Sequence, residues 1–595
     1  MEMGMAAMED IDIAQDITPP ISPLSFSLYD SLLHSHCSSC FSPLPPFPHN
    51  SHSIPTPLYC SPLCSASHSP LHFSSAEHLL LLQSPHSDTS DLRAALRFLQ
   101  SHRASSVHSG RVARLLVNRE KLTSPEGPDD DDDELCERIR VGARAMAAAI
   151  KTQRGGEDSD DVVLEEATVA LCLVLTNAVE VQDNSGRSLG IAVYDSSFCY
   201  INHSCSPNAC YRFVLSPPNS PPVASRGKPK LRITPFIRHL QDRQIDSGNE
   251  IESCSGNELA KEEKQGYGPK IIVRSIKRIM KGEEVFVTYT DLLQPKATRQ
   301  LELRSKYRFI CCCERCSTLP FTYVDHALQA ISAVNLDSSG LSSCSLVSRD
   351  KAVRLTEYID EVISEYLSDS AGDPESCCKK LEYILGQGLK EDEEQSQSSF
   401  KLHPLHHLSL NAYTTLASAY KVRATSLFSD VDENQSEAFD MSRTSTAYSL
   451  LLANATHHLF RSESSLIASV ANFWMDAGES LLCLSRMGMV VSNLPSLSKF
   501  ECSNCSLVNR FRVCASNVQI KSADYEIVSN NIHFNSNDMG SSDESGGSIG
   551  IVTEHGGEHI FQLGVHCLAY GGELIRKDVS APVIGIGISE YEAKS

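Results

Sequence analysis

Three strings decide the reading of this chain: Asn202-His203-Ser204-Cys205-Ser206-Pro207-Asn208, then Gly282-Glu283-Glu284-Val285-Phe286-Val287-Thr288-Tyr289-Thr290-Asp291, then Phe309-Ile310-Cys311-Cys312-Cys313-Glu314-Arg315-Cys316. In the last, Cys311 and Cys313 flank a single residue. On an extended chain alternate side chains share a side, so both sulfurs can face one ion while Cys312 points away. Cys316 follows after two intervening residues, a spacing that suits a knuckle wrapped around tetrahedral zinc. A swap of Cys312 for Cys313 is geometrically poorer. Three thiolates leave one coordination position to be filled from elsewhere in the chain.

Around these strings the pattern alternates between strand and helix. Ile271-Ile272-Val273 reads as a strand, Lys281-Gly282 as a turn, and Val285 to Tyr289 as a second strand. Short strands with turns occupy Ser185 to Phe213, preceded by a long apolar segment, Ala167 to Val181, read as a helix or strand entry. Ile11, Ile13 and Ile17 alternate with polar residues before Pro19-Pro20, the mark of a short strand and a turn. Residues 79–121 and 135–151 read as helices, separated by the like-charged run Asp129 to Asp133, a solvated loop. Residues 216–268 are rich in Pro, Ser, Lys and Glu and read as a largely disordered insertion between strands. From Phe321 to Leu497 the period becomes helical: Tyr413, Leu416, Ala417 and Tyr420, and again Trp474, Ala477, Gly478 and Leu481, fall on one helix face. A further helix is expected from Ile560 to Ile575.

The composition limits the functions available. With 595 residues the chain is long enough for several domains, and a hydrophobic content of 41% can build large cores. A formal net charge of −22 argues against a general nucleic-acid binder, which needs a basic face. The Cys- and His-rich stretch 31–78 carries no Lys or Arg for phosphate contacts. Glu2, Glu9, Asp10 and Asp12 give the first residues the wrong charge for a secretory leader, and the longest apolar run is too short to span a bilayer. The expectation is a soluble intracellular protein, nuclear, cytoplasmic or both, with no membrane and no direct nucleic-acid partner. In that setting the 22 cysteines are metal ligands or buried apolar residues rather than disulfides.

Taken singly, Tyr289 reads as a core aromatic and Asn202 as a turn residue. Taken together and in this order, the three strings resemble the SET- and MYND-domain family of protein lysine methyltransferases, plant SET domain group proteins among them. Tyr289 to Leu293 (Tyr-x-Asp-Leu-Leu) and Arg299 to Leu303 (Arg-Gln-Leu-Glu-Leu) carry the likeness further. The resemblance implies an α+β fold with a SET β-fold split by a reduced MYND-like zinc finger, a post-SET zinc knot and an all-α, TPR-like C-terminal domain. It sets boundaries at 1–30 for truncated N-terminal SET strands, 31–80 for the finger, 81–165 for a helical linker with an acidic loop, 166–300 for the SET core, 301–320 for the knot, 321–500 for the TPR-like domain and 501–595 for an extension.

The same resemblance assigns roles. Cys205 joins Cys311, Cys313 and Cys316 around zinc. Asn177, Asn202, His203, Tyr289 and Phe309 contact the methyl donor, S-adenosyl-L-methionine. Tyr289 and Tyr307 are the catalytic tyrosines of the channel that admits the substrate lysine. The reaction is an in-line displacement on a sulfonium methyl, and only a neutral amine can attack. The reference pKa of lysine is about 10.4, so an apolar aromatic channel that penalises the ammonium is what the chemistry requires. In the finger, Cys37, Cys40, Cys60 and Cys64 match one zinc site. His72 falls where a histidine of a second site would, but 41–59 holds no cysteine, and His68 and His72 read as surface histidines. Cys502 and Cys505, with Cys514 nearby, read as a turn with buried thiols rather than a metal site.

One departure matters. SET domains open on a Gly-x-Gly loop that lets backbone approach the donor. Here Ala14-Gln15-Asp16-Ile17 matches the segment that follows that loop, and Gly4 alone precedes it, so the chain is expected to lack one wall of the donor site. Two functions follow: a protein-lysine N-methyltransferase acting on histone or non-histone lysine, and a catalytically weak SET scaffold that serves as a protein-interaction adaptor through its helical C-terminal domain. A monomer is expected.

Overall fold

The computed structural model describes residues 2–45, 56–83, 88–104, 115–123, 134–155, 159–183, 186–215, 230–238, 268–329, 331–334, 344–367, 372–388, 399–428, 435–491 and 554–576. The acidic run at 129–133 and the cysteines at 502, 505 and 514 lie outside them. The chain divides into two compact units, Met1–Leu292 with Lys296–Ser317, and Leu293–Pro295 with Thr318–Ser595.

The first unit is mixed. In chain order it contains β1 (Glu2–Ala7), β2 (Ser25–Leu28), α1 (Pro62–Ser74), α2 (Glu77–Gln83), α3 (Ser90–Ala104), α4 (Arg119–Thr123), α5 (Glu134–Arg154), α6 (Asp160–Asn177), β3 (Ala178–Gln182), β4 (Ser188–Val193), α7 (Ser196–Cys199), β5 (Asn202–His203), β6 (Ala209–Val214), β7 (Ile233–Arg238), β8 (Lys270–Ser275), β9 (Phe286–Val287), α8 (Lys296–Tyr307) and α9 (Glu314–Ser317). Its sheets are small: β2-β4-β3, β6-β8 and β1-β7 are antiparallel, and β5-β9 is parallel. Alternate residues of the strands, such as Ile271 and Val273 on β8 and Leu189 on β4, enter a core shared with Ile11, Ile17, Val285 and Val287. A second core forms where α3, α5 and α6 pack through Ala94, Leu96, Ala143, Met146, Ala170 and Leu171. Helix α6 is buried on every face from Ala170 to Val174 and carries Asp160 and Asp161 in its exposed first turn, where the helix dipole favours negative charge.

Two expectations are corrected here. Ile11 to Ile17 is not a regular strand: Ile11, Asp16 and Ile21 each make one isolated bridge to the β8 region, because Ala14 sits at φ 63° and breaks the extended run. The N-terminal strand lies earlier, at β1. The expected insertion contains β7, which pairs with β1 from Glu2↔Arg238 to Ala7↔Ile233. That part of 216–268 is ordered sheet; residues 216–229 and 239–267 lie outside the described set.

The second unit is mainly helical: α10 (Tyr323–Ala327), β10 (Ile331–Val334), α11 (Cys344–Leu367), α12 (Pro374–Gln387), β11 (Ser399–Leu402), α13 (His407–Phe428), α14 (Gln435–Phe460), α15 (Ile467–Val491) and α16 (Glu554–Arg576), with β10 and β11 paired antiparallel. Successive helices from α11 to α16 pack against one another. Tyr413, Leu416 and Tyr420 are buried along α13, as their spacing demands. Gly478 lets α15 approach α16 closely: a Cβ there would stand 2.8 Å from the Gly564 carbonyl oxygen. Among the described residues no helix is long and apolar enough to cross a membrane.

Candidate functional site

The first and second strings meet as two paired segments. Strands β5 and β9 run parallel with Asn202 opposite Phe286 and His203 opposite Val287. The pairing continues as Ser204 N–H donates to the Val287 carbonyl at 3.0 Å and Tyr289 N–H to His203 Nδ1 at 3.0 Å. Tyr289 Oη in turn donates to the Ile201 carbonyl at 2.6 Å. Two-residue strands cannot hold a register alone. Asn208 supplies the clamp: its Oδ1 accepts from Phe286 N–H at 2.8 Å and its Nδ2 donates to the Glu284 carbonyl at 2.9 Å. The turn that delivers Asn208 is closed by Ser206 N–H on Ser204 Oγ at 3.1 Å.

His203 has a fixed tautomer. Because Nδ1 accepts from Tyr289, the ring proton sits on Nε2, which faces Cys205 Sγ at 3.3 Å. Burial pushes its pKa down to about 4, so the imidazole is neutral at pH 7. Around it stands an aromatic cluster: the Tyr289 ring lies 5.4 Å from His203 and 5.1 Å from Tyr307, and Phe309 lies 6.0 Å from His203 and 6.4 Å from Tyr307. Helix α8 ends at Tyr307, and Arg308 takes the left-handed conformation (φ 58°), its N–H donating to the Arg304 carbonyl at 3.0 Å. That reversal swings Phe309 back onto the cluster. Burial pushes the phenol of Tyr307 up to about 12, with Glu302 and Glu180 adding to it, and burial raises Tyr289 as well. Both hydroxyls keep their protons at neutral pH.

Asn202 faces the N-terminal strand. Its Nδ2 donates to the Met3 carbonyl at 2.8 Å and to Glu284 Oε1 at 2.9 Å. The neighbouring Gly4 has no room for a side chain: a Cβ would stand 2.6 Å from Glu284 Oε1 and 2.8 Å from Phe236 Cε1. Bare backbone at Met3 and Gly4 thus lies beside Asn202, with Phe236 of β7 next to Gly4. Asn177 closes α6, and its amide is committed to the Leu116 and Leu173 carbonyls at 2.7 and 2.8 Å.

The sulfur atoms of Cys205, Cys311, Cys313 and Cys316 all lie within 4.8 Å of one another, and so do those of Cys37, Cys40, Cys60 and Cys64. Four thiolates at about 2.3 Å from a tetrahedral zinc stand roughly 3.8 Å apart; Cys40 to Cys60 is 3.5 Å and Cys60 to Cys64 is 3.6 Å. The chemistry and spacing of both donor sets fit zinc. Cys312 is exposed and outside the cluster. In the finger, Ser61 caps α1 by accepting from Cys64 N–H at 3.2 Å, with Pro62 at the first helical position, and this fixes Cys64 beside the earlier pair.

His68 and His72 are not surface histidines: they are 2% and 4% exposed. His72 Nδ1 bonds Glu77, which is fully buried and paired with Arg97; Arg97 also reaches the Phe26 carbonyl. His68 Nδ1 bonds Tyr59 Oη at 3.0 Å. The finger is tied to α2, α3 and β2 by this buried ion-pair network. The sequence signal for it was weak, because one Glu and one Arg twenty residues apart carry no motif. Asn208, Arg299 and Gln300 were also passed over, although Asn208 belongs to the first string and the other two to the Arg-Gln-Leu-Glu-Leu match.

No model of a protein family matches the chain. It is 40% identical over 516 residues to Protein SET DOMAIN GROUP 41 of Arabidopsis thaliana, covering 85% of this chain and 82% of that protein. It is 22% identical over 263 residues to the N-lysine methyltransferase SMYD2 of Homo sapiens, covering 44% of this chain and 46% of that one. A shorter match, 39% over 51 residues, covers 9% of this chain and 12% of the histone-lysine N-methyltransferase SMYD3 of Mus musculus. With the paired segments and both Cys clusters in place, a likeness that runs through most of two chains settles the kinship: this protein belongs to the SET- and MYND-domain family.

Proposed function

We propose that this chain is an S-adenosyl-L-methionine-dependent protein-lysine N-methyltransferase. The observation that carries the reading is the parallel pairing of Asn202–His203 with Phe286–Val287, beside which Tyr289 stands against both Tyr307 and His203. S-adenosyl-L-methionine supplies an electrophilic methyl carbon on a sulfonium. Asn202, His203, Asn177 and Phe309 would hold it, together with the bare backbone at Met3 and Gly4. The aromatic walls, Tyr289 and Tyr307, disfavour an ammonium and orient the neutral amine toward the methyl. Tyr289 Oη spends its proton on the Ile201 carbonyl, so its oxygen is left to accept from a lysine amine N–H.

Zinc held by Cys205, Cys311, Cys313 and Cys316 is structural in this reading, a post-SET knot that fixes Phe309 over the site, and the finger cysteines hold another. The substrate is a protein lysine, histone or non-histone, in the nucleus or cytoplasm, and the TPR-like helical unit is a docking surface for protein partners. Two measurements test the proposal: calorimetric titration with S-adenosyl-L-methionine, and methyl transfer to a peptide array by wild type and Tyr289→Phe. Donor binding with activity lowered in the variant supports it. No binding at millimolar donor leaves the adaptor reading, and unchanged activity in Tyr289→Phe removes Tyr289 from its role.

A further inference from the structure

Arg299 is fully buried, at 0% exposure, on helix α8. Its Nε donates to Cys205 Sγ at 3.3 Å, and its Nη2 lies 4.0 Å from Cys316 Sγ. The adjacent Gln300 holds the knot through the backbone: its Oε1 accepts from Cys311 N–H at 2.9 Å and its Nε2 donates to the Cys311 carbonyl at 2.8 Å. A second buried guanidinium, Arg315, takes the Cys205 carbonyl at 3.3 Å and the Leu292 carbonyl at 3.0 Å.

We propose that Arg299 is the charge-compensating partner of the Cys205–Cys311–Cys313–Cys316 zinc centre. The assignment rests on reading that cluster as a zinc site. Zinc with four thiolates is doubly negative, and an anion of that charge in a protein interior is costly unless a cation or strong donors face it. A guanidinium cannot lose its proton and directs its N–H groups in a fixed plane. Placed against the sulfur that comes from the far segment, it offsets one charge and lowers the basicity of that thiolate. Helix α8 thus does two jobs with adjacent residues: Gln300 grips the knot's backbone and Arg299 neutralises its metal centre. Arg299 is a positioning residue, since it acts through Cys205 rather than on substrate.

The test reads metal and not turnover. Zinc is counted in the purified full chain, and its extraction by a chelator is followed with a colorimetric zinc indicator. The phase belonging to the finger is identified from a Cys60→Ser variant. Arg299→Met should weaken zinc affinity at the Cys205 centre by about tenfold to a hundredfold, the usual effect of losing a partner of a metal ligand, and so speed extraction from it. Arg299→Lys, which keeps the charge, should stay close to wild type, and the finger phase should not change. With cobalt in place of zinc, Arg299→Met should also shift the thiolate-to-metal charge-transfer band. A chain that folds only with Arg or Lys at this position supports the charge role as well. Extraction unchanged in Arg299→Met overturns the proposal, and so does Lys failing as badly as Met, which would mean a role in shape alone. A wild-type chain without zinc at the Cys205 centre refutes the zinc reading instead, a separate outcome.

Discussion

Replacing Asn208 with Ala should loosen the pairing of β5 with β9 while leaving the rest of the fold in place. The side chain makes two short hydrogen bonds, to Phe286 N–H at 2.8 Å and to the Glu284 carbonyl at 2.9 Å, and is 7% exposed. At about 0.5–1.5 kcal/mol each, their loss amounts to about 1–3 kcal/mol, with the upper end favoured because two backbone groups lose their partners in a buried place. One factor of ten in an equilibrium is about 1.4 kcal/mol, so the opening of β9 should become roughly fivefold to 150-fold more frequent. Global unfolding is a poor readout for a chain of two units, since no single transition describes it. Hydrogen exchange followed by mass spectrometry on a peptide containing Phe286 and Val287 reads the opening directly. Strand β8, which pairs with β6 through six residue pairs, serves as the internal control and should keep its protection. Exchange at Phe286 within about twofold of wild type would show that β5 and β9 hold each other without the clamp, and the reasoning about two-residue strands would fail.

Glu77→Gln leaves Arg97 charged and without its carboxylate in a buried site, and should destabilise the first unit by about 3–5 kcal/mol, seen as a lower thermal midpoint; a loss under about 1 kcal/mol would contradict the network. Burial alone would raise the pKa of Glu77, but Arg97 and His72 hold it well below the usual carboxylate range, so its contribution is present above about pH 4.5 and fades only in strong acid. Cys205→Ser and Cys60→Ser should each lower the zinc content by one ion per chain, measured by atomic emission; a variant that keeps wild-type zinc would exclude that cysteine as a ligand. In the second unit, burial pushes His406 down to about 3 and His407 to about 4. The unfolded chain therefore binds protons below about pH 6.5 that the folded unit refuses, so stability is complete above that pH and falls progressively toward pH 3–4. His406→Asn should flatten this acid limb in denaturant titrations across pH, and an unchanged limb would assign the acid sensitivity to other groups.

What could be read from the sequence was chemistry carried by side chains at fixed spacing. Cys311, Cys313 and Cys316 announce a metal because thiols at that interval have few other uses, and Tyr413, Leu416 and Tyr420 announce a helix because burial imposes its period. What could not be read depended on partners distant in sequence. Strand β7 sits in a stretch whose Pro, Ser, Lys and Glu content speaks for disorder, and only its pairing with β1 makes it sheet. Gly4 looked like half of a missing motif. Its meaning comes from Glu284 and Phe236, which leave no room for a Cβ. His68 and His72 lack the sequence neighbours that mark a metal site; what holds them buried is Tyr59 on one and Glu77, itself paired with Arg97, on the other.

The first string also turns out to be divided in its allegiance, and the division has a physical consequence. Cys205 Sγ faces Arg299 Nε and His203 Nε2, each at 3.3 Å, while His203 Nδ1 is held by the Tyr289 N–H. The imidazole therefore spans from the sulfur cluster to the tyrosine at the centre of the aromatic group, with both nitrogens engaged. Any change that moves Cys205 pulls on one end of a ring whose other end sets the backbone at Tyr289. On the proposed reading, a structural zinc at this cluster would act on the chemistry by fixing this ring, and the cost of loosening the cluster should appear at Tyr289 before it appears in the fold as a whole.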